Sequence, residues 1–84
     1  MSTYTVSAEN GSNPKVFYEA SNVNRLMASG LATILVKAFR SIVIQDDETG
    51  EVMYSLYLAE DMFSPTASIA EVIEEANEAL NSHY

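Results

Sequence analysis

Cysteine is absent from this 84-residue chain. No disulfide can staple it and no thiolate cage can hold a structural zinc, and the absence fits a reducing compartment. Beyond Arg40 there is no lysine or arginine either. Residues 1–40 carry Lys15, Arg25, Lys37 and Arg40 against Glu9 and Glu19, a net of +2, while residues 41–84 carry ten acids and no cation. So few cations neutralise few phosphates, and the acidic half repels a duplex, so direct binding to nucleic acid is disfavoured. Histidine occurs once, at His83, beside the last residue, where a fraying terminus cannot hold a general base against a target. The three glycines, Gly11, Gly30 and Gly50, stand far apart, so no glycine-rich loop can cradle a phosphate. The longest uncharged apolar run, Leu26 to Val36, is 11 residues, and a spanning helix needs about 17–25. Met1-Ser2-Thr3-Tyr4 lacks the basic and apolar regions of a signal peptide. These absences point to a cytosolic protein that is not an enzyme, with no cofactor and no membrane partner.

What is present suits one folded domain over 1–84, nearly half of it apolar. Thr3 to Ala8 alternates, with Tyr4, Val6 and Ala8 on one face, and Lys15 to Ala20 alternates after a turn-rich stretch from Glu9 to Pro14. These features predict an antiparallel hairpin. Ser21-Asn22 offers an N-cap, and Val23, Leu26, Met27, Leu31, Ile34, Leu35, Ala38 and Ile42 recur at helical steps, predicting a helix of about five turns that ends in Lys37 and Arg40. Gly30 within it costs up to about 1 kcal/mol relative to alanine, which suggests that another backbone comes close there. Ser41 to Asp46 reads as a strand, Asp47-Glu48-Thr49-Gly50 as a hairpin loop and Glu51 to Ala59 as a second alternating strand. After Ser64-Pro65, Ser68 with Glu71 forms a capping-box pattern, and Ile69, Val72, Ile73, Ala76 and Leu80 make a helical stripe, with Asn81 to Tyr84 fraying.

The expected fold is therefore α+β, in the order ββαββα, with an antiparallel sheet and two helices on one of its faces. Residues 3–46 supply the first hairpin, a helix and the third strand. Residues 47–84 complete the second hairpin and add an acidic helix.

The apolar content looks too large for one copy. Between Arg25 and Lys37 the only polar side chains are Ser29 and Thr33, and a helix apolar all round is normally buried all round. If Val16, Tyr18, Ile42, Ile44, Val52, Tyr54, Leu56 and Leu58 face the helices, then Phe17, Val43, Met53 and Tyr57 face away. Gathered together they would form a self-association patch, the apolar rim of the first helix being the other candidate surface, and oligomerisation is the staple left to a small chain without disulfides. The plainer alternative is that these four merely pair across strands and stiffen the sheet.

Carboxylates form two groups. Asp46, Asp47, Glu48 and Glu51 do not follow the ligand pattern of a calcium loop and read as a polar hairpin tip. Glu71, Glu74, Glu75 and Glu78 lie on one flank of the last helix, with like charges at i,i+4. Three accounts stay open: a solubilising face, pairing with Arg25, Lys37 and Arg40 within the chain, or a surface that meets a basic protein partner. In its most specific form the third account is an inhibitor of phage or prophage type, whose carboxylates imitate nucleic-acid phosphate in a basic groove.

Thr3-Tyr4-Thr5-Val6, then Asn10-x-Ser12-Asn13, then Val16-x-Tyr18-Glu19, followed by an apolar helix ending in Lys and Arg, resembles the YoaG-like small enterobacterial proteins of unknown function. The resemblance covers the first half of the chain. It implies a hairpin-plus-helix unit that forms a homodimer, and it implies no activity. The second hairpin and acidic helix, roughly residues 46–82, depart from that pattern.

Overall fold

A computed structural model describes residues 2–11 and 14–83, the side chain of His83 excepted. Ser12 and Asn13 of the first turn, the His83 side chain and Tyr84 lie outside the described residues. The chain runs β1 (Tyr4–Glu9), β2 (Phe17–Val23), α1 (Arg25–Leu35), β3 (Ser41–Asp46), β4 (Val52–Tyr57) and α2 (Ile69–His83), with a short 3-10 turn at Glu60–Met62. This is the expected ββαββα α+β fold. All four strands join one antiparallel sheet in the order β2-β1-β3-β4. Among the described residues no helix is long and apolar enough to cross a membrane.

The alternation of β1 decides which face is buried. Tyr4, Val6 and Ala8 point inward, joined by Tyr18, Ala20 and Val23 from β2 and by Ile42 and Ile44 from β3. The helices close this face with Met27, Ala28, Leu31 and Leu35 of α1 and Val72 and Ala76 of α2. Phe39, in the connection to β3, is fully buried among them.

Two bulges correct the pattern read from sequence. In β2, Val6 faces Ala20 and Tyr4 faces Val23, so Ser21 and Asn22 together oppose one residue of β1. Asn22 takes φ 60, a left-handed conformation that asparagine tolerates. The extra residue changes the parity of the strand and turns Val23 into the core. Val23 is thus a strand residue rather than the first turn of a helix. The N-cap is Asn24, whose side chain accepts from the Met27 N–H at 2.8 Å.

Helix α1 is correspondingly shorter than expected, and Ala38 and Ile42 enter the core from the turn after it and from β3. No basic residue stands in its last turn. It is not buried all round either, since Leu26 is 84% exposed. Nothing lies within 4 Å of a Cβ built at Gly30, so no backbone approaches there.

The second bulge is in β4. Ile44 faces Tyr54 and Gln45 faces Val52, leaving Met53 as the extra residue. Val52 joins the outward row of Thr5 and Gln45, the reverse of the side expected for it.

At the other end of the chain the expected cap is present. The Glu71 N–H donates to Ser68 Oγ at 3.2 Å, and α2 continues through Asn81 to His83 rather than fraying there. The linker before it is pinned by a Thr66 N–H bond to the Lys37 carbonyl. Gly11, at φ +68, lies against the Arg40 guanidinium, where a Cβ would collide.

Candidate functional site

The helices do not cover the sheet evenly. Helix α1 lies over β1 and β3, and α2 packs against the side of α1 nearer β2. The Tyr18 hydroxyl of β2 meets Asn77 Oδ1 of α2 at 3.2 Å, and burial raises the Tyr18 pKa, keeping its proton in place for that bond. Nothing comparable lies over β4, whose residues are exposed except for Leu56. Tyr54 pairs with the inward Ile44 and still remains 45% exposed.

The uncovered strip opens a cleft of about 530 Å³ between α1 and the β3–β4 side of the sheet. Arg25, Ala28, Ser29, Ala32, Thr33 and Val36 form its helical wall, at the three- and four-residue steps of one helix stripe. Tyr4, Ile44, Met53 and Tyr54 supply the opposite wall. Ser29 and Thr33, the two polar interruptions noted in α1, both line it, and the Thr33 hydroxyl donates to the Ser29 carbonyl at 3.0 Å. No Asp, Glu or His lines this cleft.

No family model matches this chain, and no curated protein or solved structure matches it.

The structure separates the four residues expected to form an apolar patch. Phe17 of β2 and Tyr57 of β4 share a row across the outward face, but Glu9 and Ser41 lie between them. Three strand spacings put the two about 14 Å apart. Val43 sits in the next row between Ser7 and Ser55. Met53 leaves the set altogether, because the bulge brings it into the lining of the cleft on the helix side. Tyr57 is also engaged: Arg40 Nη2 donates to its hydroxyl at 3.0 Å, with the guanidinium carbon 5.5 Å from the ring centroid.

The carboxylates are distributed differently from a ligand set. Among the described residues no three acidic or histidine side chains converge on a point that could hold a metal. Asp46 Oδ1 accepts from the Glu48 and Thr49 N–H groups and shapes the β3–β4 turn. Asp47 accepts from the Thr5 hydroxyl at 2.6 Å and the Thr3 hydroxyl at 2.9 Å. These bonds, with one from the Asn22 backbone, hold its pKa below the usual carboxylate value. On α2, Glu75 pairs with Lys37 at 2.9 Å, while Glu71, Glu74 and Glu78 are exposed. Arg25 and Arg40 do not join that pairing.

The cleft and the exposed strand beside it were missed by sequence reasoning. The small-residue stripe of α1 carried a signal, but only strand order reveals that β4 lies at the edge.

Proposed function

We propose that the protein is a non-enzymatic binding domain that acts as a homodimer, joined along β4. The observation that carries this reading is the character of that strand. Val52–Tyr57 is an edge strand with no charge and no proline, and five of its six residues are exposed. Edge strands normally carry such features because their free N–H and C=O groups recruit other strands. The opposite edge is guarded, since β2 carries Glu19 and the bulge at Asn22. The homodimer implied by the resemblance to YoaG-like proteins agrees with this reading. The absence of Asp, Glu and His from the cleft lining supports a binding role over acid–base catalysis.

The hydrogen-bond phase gives the pairing register. The Leu58 N–H donates to the Arg40 carbonyl, and the Asp47 N–H donates to the Thr3 carbonyl. By the alternation of an antiparallel ladder, Tyr54 and Leu56 then bond to β3, and the amides of Ser55 and Tyr57 face outward. A two-fold axis at Ser55 would set Tyr54 beside Leu56 of the partner subunit, apolar against apolar, and continue the sheet across both copies.

Light scattering at tens of micromolar should give twice the chain mass. Ser55→Pro, which removes an outward N–H and leaves the β3 ladder intact, should give a folded monomer, as should Ser55→Lys. A monomeric wild-type protein, or a dimer that survives both substitutions, refutes the reading.

A second reading assigns the exposed Glu71, Glu74 and Glu78 to a basic protein partner, in the phosphate-imitating manner of a nucleic-acid competitor. Their exposure, with Glu75 alone paired, favours it. Partner capture that is unchanged by charge reversal at the three positions refutes it.

A further inference from the structure

Three of the four cationic side chains have partners. Lys15 lies 3.5 Å from Glu9, Lys37 pairs with Glu75, and Arg40 is bonded to Tyr57. Arg25 is the fourth. The chain has twelve acids, yet among the described residues none of them pairs with Arg25, and its side chain lines the cleft. The position is also unfavourable for the helix. Arg25 is the first residue of α1, and no acid stands in that first turn. The guanidinium and the positive end of the macrodipole therefore reinforce one another. Away from Arg25 the lining is uncharged, with Ala28, Ala32, Val36 and Ile44 providing an apolar trough. A chain of net charge −8 thus keeps this concave surface free of carboxylates and places on it a cation that no acid among the described residues pairs with.

We propose that this cleft binds a small amphipathic anion, an organic carboxylate whose apolar body lies along Ala28, Ala32 and Ile44 and whose head group meets Arg25. Its volume of about 530 Å³ is within the range of small-molecule sites. A guanidinium presents a planar fork of donors that matches a carboxylate, and such charge-assisted bonds are the stronger kind. Ser29, Tyr4 and Tyr54, each of which carries a hydroxyl, also line the cleft. The site is formed by one chain, so it does not depend on pairing through β4.

Decanoate, decan-1-ol and decylammonium, each titrated below its micelle concentration into isotope-labelled protein and followed by NMR, test this directly. Decanoate should bind saturably, with shifts centred on Ala28, Ala32, Ile44 and Tyr54, and decylammonium should bind about tenfold more weakly or worse. Arg25→Gln, at an exposed position, should erase the preference for decanoate while leaving the spectrum of the free protein intact. Ser29→Trp should fill the cleft and abolish binding of all three. Equal affinity for decanoate and decylammonium overturns the proposal, as does retention of the preference in Arg25→Gln. Tyr54 also lies in the β4 seam, so its shifts alone can follow protein concentration. Shifts at Ala28, Ala32 and Ile44 that follow protein concentration instead of decanoate assign the cleft to a second copy and overturn the proposal too.

Discussion

Asp47 shows how a side chain in a tight turn can serve the whole sheet. It belongs to the β3–β4 connection, yet its two oxygens take hydroxyl bonds from Thr3 and Thr5 at the start of β1. Its pKa is lowered chiefly by the Thr5 bond, then by that from Thr3. A carboxyl group whose native pKa lies below its unfolded value stabilises the fold above the unfolded value, about 3.9, and loses that contribution as pH falls through the native one. Asp47→Ala should therefore lower the urea midpoint at neutral pH, and its difference from wild type should shrink as pH is taken below about 4. A difference that stays constant across that window contradicts the role. From sequence, Asp47 reads as a solvated tip residue, because its partners lie more than forty positions away and nothing local reports them.

At the level of elements, both helices depend on a side-chain cap. Asn24 receives the Met27 N–H, and Ser68 receives that of Glu71. Asn24→Ala should cost about 1 kcal/mol, and Asn24→Asp, which adds a negative charge at the positive pole, should cost nothing or gain slightly. Thermal unfolding would show the first as a fall of roughly 4–8 °C in Tm. The Ser68 cap was legible because its signature is short-range. The limits of α1 were not, because Val23 before it and Ala38 and Ile42 after it keep helical spacing with the α1 residues while reaching the core from strand and turn backbone. Bulges have the same effect on strands. Period-two alternation located β4, but one extra residue exchanged the sides of Val52 and Met53. The cleft was unreadable for a further reason. Each hairpin can be read from its own turn, but the β1–β3 pairing that places β4 at an edge links residues far apart in sequence.

For the whole molecule, charge separates the two proposed interactions. Each copy carries a net −8, so pairing through β4 works against mutual repulsion. Salt shortens the range of that repulsion, from about 30 Å at 0.01 M to about 3 Å at 1 M. Self-association should therefore tighten as salt is raised, as sedimentation equilibrium can measure. Capture of a basic partner by Glu71, Glu74 and Glu78 should weaken over the same range. A dimer that dissociates with added salt would mean that its contacts are ionic and lie away from β4.

The place of β1 in the sheet has a consequence for biosynthesis. It is translated before the other strands, yet it ends between two of them, and one of those, β3, emerges only after a further strand and a helix. Until then a nascent polypeptide can close only the β1–β2 hairpin, and the inward side chains of Ile42 and Ile44 that finish the floor do not yet exist. A chain that ends after α1 would therefore carry a half-built layer, with Tyr4, Val6 and Ala8 lacking the strand that completes their floor.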